Sequence, residues 1–276
     1  MDTAIPSSMS ISSLLANHGS AASPLVIDVR RAPAFEADTV MLAGATWRDP
    51  FTFTEWIKFL PRHVEIVVYC VHGHEISKNT SAALRSAGLN AHYLEGGIEA
   101  WKEQCAPTTR KQSALSVPSP INTPSRWITR ERPKIDRIAC PWLIRRFIDP
   151  FAEFLYVPAS QVLVAAKSHA ATPYDVPDVQ FSHRGEACSF DAFIQDFELN
   201  DPLLNELAAI VRGADTGKPH LTAQSPGLLA ISLGLSALYP KDHEMVEHGM
   251  VVYDALYAWL KRAQAQVHNA DLFTKS

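Results

Sequence analysis

Apolar positions form short unbroken blocks in the first third of the chain and helically spaced stripes after it. Residues 25–29, 66–69 and 91–94 are β-rich runs, the pattern of strands buried on both faces. Between and after them, residues 54–60, 77–87 and 98–103 show helical spacing, the middle stretch ending at Gly88. This alternation predicts an α/β domain: a parallel sheet with helices on both faces. Ala106-Pro107-Thr108-Thr109 and Ser116-Val117-Pro118-Ser119-Pro120 then interrupt any period. Beyond them helix dominates, and the longest amphipathic stretch runs over about residues 242–262, where Val251, Leu256, Trp259 and Leu260 read as a packed stripe. The expected organisation is a first domain over 1–105, a linker over 106–124 and a mainly α-helical second domain over 125–276. No repeat of fixed period is apparent.

Composition narrows the class. With 276 residues, 47% of them hydrophobic, the chain can bury two ordinary cores. Its net charge of -4 argues against nucleic acid as a partner. No apolar run approaches the length of about 18 residues that a membrane span needs, and the first residues lack both a basic and a continuous apolar region. The expectation is a soluble, cytoplasmic protein without a membrane partner; its oligomeric state is not legible. Cys70, Cys105, Cys140 and Cys188 are widely spaced with no CxxC, which fits free thiols in a reducing compartment.

Cys70 is the foremost candidate for chemistry. The strand-like run Ile66-Val67-Val68-Tyr69 leads into it, a Gly-containing loop follows, and a helix begins near Ser77. Loop amides and the positive end of that helix would stabilise a thiolate, making the sulfur a nucleophile. The expected binding loop is Val71, His72, Gly73, His74, Glu75, Ile76 and Ser77, with Arg30 as a further candidate beside it. Asp28 and Arg30 read equally well as a buried ion pair.

Three segments carry a family resemblance: Val26-Ile27-Asp28-Val29-Arg30, the Cys70 loop with Gly73, and Leu94-Glu95-Gly96-Gly97-Ile98-Glu99-Ala100-Trp101. In this order they resemble the signature segments of a rhodanese domain over roughly residues 10–105. The resemblance implies that Cys70 accepts a sulfane sulfur as a persulfide and passes it to a thiol, with no cofactor required. One departure is the charge of the loop. Many thiosulfate-handling rhodanese loops are cationic, whereas this one has Glu75 and depends on His72 and His74 for positive charge. No arginine closes the loop, which speaks against a phosphatase.

Residues 126–146 carry seven basic side chains against two acidic ones. Arg130, Arg132 and Arg137 are candidates for holding chromate or another oxyanion; the alternatives for these arginines are a nucleic-acid backbone and a solvated helix face. Pro141 suggests a helix starting near Cys140. His183, Glu186 and Cys188, with Asp215 and His248 farther on, are candidate ligands for Mn, Fe or Zn, although their spacing matches no standard zinc pattern. The alternatives are a local turn with Cys188 packed inside, and a cap at Asp215. His248 gains weight from Gly249, which permits close approach by another element. His243 and His248 are five apart, so a zinc-protease motif is rejected.

The stretch from Lys134 to Ile148, together with residues 183–191, 211–216 and 249–257, is similar to the C-terminal domain of ChrB-type chromate-resistance proteins. The combined expectation is a rhodanese-type sulfurtransferase forming a persulfide on Cys70, taking a small sulfur donor and a thiol acceptor. Glutathione, Cys140 or Cys188 could be that acceptor. Two alternatives follow from the second resemblance: a chromate- or redox-responsive regulator with the rhodanese domain as sensor, and a metal-dependent superoxide-removing protein.

Overall fold

A computed structural model describes residues 7–111 and 124–273. Two compact units emerge: Met1–Ser125 with Arg145–Phe151 and Phe197–Asn200, and Arg126–Ile144 with Ala152–Asp196 and Asp201–Ser276.

The first unit runs β1 (Ser8–Met9), α1 (Ile11–Asn17), β2 (Leu25–Asp28), α2 (Ala32–Ala37), β3 (Val40–Leu42), β4 (Thr46–Trp47), α3 (Phe53–Trp56), β5 (Ile66–Tyr69), α4 (Glu75–Ser86), β6 (Ala91–Leu94), α5 (Gly97–Glu103) and β7 (Thr108–Arg110). Five strands form a parallel sheet in the order β1-β6-β5-β2-β4, which puts β5 at its centre. Successive residues of a strand face opposite sides. Val26, Val67 and Tyr69 accordingly join Leu14, Ile98 and Trp101 in one core, while Leu25, Ile27, Ile66 and Val68 join Trp56 and Leu84 in another. A sheet covered twice needs apolar residues at every position, which is why its strands read as unbroken runs.

The expected linker begins too early. Thr108–Arg110 is β7, paired antiparallel with β3, and Trp101 Nε1 donates to the Pro107 carbonyl at 2.8 Å. Proline and threonine looked like linker composition, but a short two-stranded ribbon tolerates both. Residues 112–123 of that stretch lie outside the described residues.

The second unit contains β8 (Arg126–Arg130), α6 (Asp136–Phe147), β9 (Glu153–Val157), α7 (Val162–Ser168), β10 (Thr172–Pro173), α8 (Ser189–Asp196), α9 (Pro202–Asp215), α10 (Ser225–Leu238) and α11 (Asp242–Phe273), the last residues of α6 clustering with the first unit. It is mostly helical, as expected, but adds a parallel three-stranded sheet in the order β10-β8-β9. Pro141 lies inside α6 rather than at its start, so Cys140 sits in mid-helix and is fully buried. The helix starts at Asp136 instead. The expected stripe on α11 is also displaced: Val251 and Trp259 are exposed, whereas Met245, Val246, Met250, Tyr253, Tyr257 and Leu260 are buried. Gly249 does permit close approach, since a Cβ there would lie 2.5 Å from Ile138 Cγ2.

Candidate functional sites

Cys70 directly follows β5, at the carboxyl end of the central strand, where open parallel sheets place their ligands. Its sulfur shares a 3.2 Å hydrogen bond with Ser77 Oγ, which also lies 3.2 Å from the His74 carbonyl as a donor. Ser77 is the third residue of α4, so the sulfur rests on the first turn of a helix whose leading N–H groups have no intrahelical acceptor. Cys70 is 7% exposed. Around it His72, His74 and Glu75 are exposed, Val71 and Ile76 half-buried, and Gly73 and Ser77 buried. The two imidazole rings lie 5.7 Å apart.

The loop is clamped from below by the start of α5. Ile98 N donates to the Cys70 carbonyl at 3.0 Å and Glu99 N to that of Val71 at 3.1 Å. Gly97 makes this approach possible: its φ is +60°, and a Cβ would stand 2.4 Å from the Cys70 oxygen and 2.6 Å from Gly73 N. Gly97→Ala is therefore expected to destabilise the protein by about 2 kcal/mol or more, read as a lower urea midpoint.

Arg30 does not line this site. It is 1% exposed and forks onto Asp28, with Nη1 reaching Asp38 at 2.8 Å and Nη2 the Val40 carbonyl at 3.1 Å. All three guanidinium nitrogens are bonded inside the fold, so the ion-pair reading replaces substrate binding.

The second cluster gathers parts of the second unit that are distant in sequence. His183 Nε2 lies 3.2 Å from Asp215 Oδ2, 3.4 Å from Asp175 Oδ1 and 3.6 Å from Asp136 Oδ2. Among the described residues, Asp136, Asp175 and His183 offer metal-ligand atoms within 4.8 Å of one another. Asp136 leads α6, following β8, and its carboxylate accepts from Ser189 N at 2.6 Å and Phe190 N at 3.2 Å. Asp175 follows β10 and accepts from Ser189 Oγ at 2.8 Å. Its other oxygen faces Arg137 Nε at 3.2 Å and Arg130 Nη2 at 3.5 Å. Asp215 ends α9.

Electrostatics follow from this crowding. Burial, then the neighbouring Asp215 and Asp175, pushes Asp136 up to about 8. The hydrogen bond to Asp175 leads a set of carboxylates that raises His183 to about 9. Burial acts to raise Asp175, yet His183, Ser189 and Arg137 hold it below the usual range. Burial and Asp175 raise Asp215.

Of the residues expected as ligands, His183 and Asp215 come together; the other three do not join them. Glu186 is 85% exposed and pairs with Lys218. Cys188 is buried, and Asp191, itself paired with Arg212, accepts from its backbone N–H. His248 stacks on Tyr239 with ring centroids 4.2 Å apart. Arg130 and Arg137 border the cluster, but Arg132 does not: it donates to the carbonyls of Ser236, Tyr239 and Pro240 at the end of α10. A guanidinium there satisfies the helix's last carbonyls.

Cys140 and Cys188 are both completely buried, and burial pushes both thiols far above their ordinary range. Neither is placed to receive sulfur. With an aromatic disulfide reagent, Cys105, which is exposed, should react in the folded protein, and Cys140 and Cys188 only after denaturant is added. Rapid labelling of either buried thiol in the folded protein would contradict their placement.

A parallel sheet with a cysteine loop at the end of its central strand defines the class of the first unit. Residues 10–104 match the rhodanese-like domain and residues 127–260 the ChrB C-terminal domain. The chain therefore carries a rhodanese-like domain followed by a ChrB C-terminal domain. Protein ChrB of Cupriavidus metallidurans is 33% identical over 132 residues, 48% of this chain; the chain spans 39% of that relative's length. Among solved structures, a rhodanese-related protein of Thermoplasma volcanium is 29% identical with a TM-score of 0.33, covering 37% of this chain and 97% of its own. A Lactobacillus plantarum protein is 26% identical with a TM-score of 0.36, covering 38% and 88%. No described helix is long and apolar enough to cross a membrane.

Proposed function

We propose that this protein is a sulfurtransferase working through Cys70, coupled in one chain to a domain associated with chromate resistance. The observation that carries the reading is the seat of the sulfur: at the end of the central strand, against the first turn of α4 and bonded to Ser77. Cys70 sulfur, as thiolate, attacks the outer sulfur of thiosulfate. The sulfur–sulfur bond of the donor breaks, sulfite leaves, and Cys70 holds a persulfide. An acceptor thiolate or cyanide then takes the terminal sulfur and returns Cys70 to thiolate. The first-turn amides of α4 are the local donors suited to the anionic sulfur of both states, joined by the Ser77 hydroxyl once its proton turns from the His74 carbonyl to the sulfur. Exposed Glu75 at the rim repels a dianion, so a less charged donor such as mercaptopyruvate or a small persulfide suits the loop better than thiosulfate. The acceptor comes from solution, because the second unit's thiols are buried.

Steady-state sulfur transfer to cyanide or glutathione, assayed with thiosulfate and with mercaptopyruvate, tests the reading. Turnover with either donor supports it, and none with both would leave the domain as a binding or sensing module.

A further inference from the structure

We infer that the second unit binds one divalent metal ion, of the manganous or ferrous kind, through His183 Nε2 and the carboxylates of Asp136, Asp175 and Asp215. The inference does not depend on sulfur transfer at Cys70. Its basis is geometric. An octahedral ion with bonds of about 2.1 Å sets adjacent ligand atoms about 3 Å apart. The imidazole nitrogen lies 3.2, 3.4 and 3.6 Å from the three carboxylate oxygens, so small side-chain shifts complete such an edge pattern. The group is not a product of local sequence, because its members come from the head of α6, the segment after β10, the loop before α8 and the end of α9. Asp136 and Asp175 both follow the carboxyl ends of neighbouring parallel strands, the position where such sheets bind ligands.

The carboxylates are also held from outside. Backbone N–H groups at the start of α8 fix Asp136, while Ser189 Oγ, Arg130 and Arg137 fix Asp175. Such outer contacts orient ligands before an ion arrives. Ile135 and Asp175 have φ of 36° and 51°, so the backbone is strained beside and within the group. Burial grades from floor to mouth: the side chains of Asp136 and Asp175 are 1% and 5% exposed, that of Asp215 is 18% and that of His183 is 42%. An ion there would rest on buried oxygens and keep positions open toward solvent. One nitrogen and three oxygens, with no sulfur, favour manganese or iron over a thiolate-type zinc or copper site.

The test is a titration of full-length protein, stripped by a chelator, with manganous chloride, reading free Mn2+ by electron paramagnetic resonance. One ion bound per chain is expected, with the apparent melting temperature rising as the ion binds. His183→Gln and Asp215→Asn should each weaken binding by about tenfold or more, while Glu186→Gln leaves it unchanged. Urea midpoints near that of wild type show that the variants are folded. Absence of Mn2+ binding to the wild-type protein, or binding that survives unchanged in both His183→Gln and Asp215→Asn, would overturn the inference.

Discussion

Cys70→Ser should lower sulfur transfer by about a thousandfold or more while leaving the free energy of unfolding in urea within about 1 kcal/mol of wild type. A serine oxygen cannot form the persulfide, so the covalent route is lost rather than slowed. The fold should tolerate the exchange, because the new hydroxyl occupies nearly the same volume and can keep the contact with Ser77. Cys105→Ser is the matched control: Cys105 is exposed, and its loss should leave turnover unchanged. Activity that survives Cys70→Ser would move the chemistry elsewhere.

The largest stability effect is expected at Arg30. Arg30→Met removes the cation from a carboxylate, Asp28, that is 0% exposed and whose remaining side-chain donor is Tyr69 Oη at 2.8 Å. Stripping one partner from a buried pair costs about 3–5 kcal/mol. Burial pushes Asp28 upward against the pull of Arg30 and leaves it raised overall; without the cation it rises further. The folded variant would then bind a proton that the unfolded chain releases. Its deficit should therefore be largest at neutral pH and shrink as pH falls toward the ordinary carboxylate range. Asp28→Asn combined with Arg30→Met should recover much of the loss, because no buried charge is left unpaired. A loss below about 1 kcal/mol in Arg30→Met, measured by urea unfolding at neutral pH, would contradict this account.

The two halves differed in how much their sequences disclosed. The first unit's strands are doubly buried, so they stand out as apolar runs, and the glycines at 73, 96 and 97 mark where the backbone turns tightly around Cys70. Arg30 carries two readings in the sequence, loop binding and a buried ion pair, because a signature segment does not tell which way a guanidinium points; its contact with Asp28 decides for the second. In the second unit β8 was hidden in an arginine-rich stretch: Arg126 and Arg130 flank the buried Trp127, Ile128 and Thr129. Without that sheet, Asp136 and Asp175 had no reason to stand out, although their places after parallel strands would have singled them out. His183 and Asp215 were found as residue types that bind metals, and the same reasoning admitted Glu186, Cys188 and His248. Only tertiary packing separates the two groups.

In the proposed reaction Cys70 itself carries the sulfur. Its most direct test is mass spectrometry of the protein after brief exposure to mercaptopyruvate or thiosulfate and alkylation, followed by peptide mapping. One added sulfur atom per chain is expected, confined to the peptide containing Cys70 and absent from Cys70→Ser. No added sulfur with either donor, or sulfur found on Cys105 instead, would contradict it.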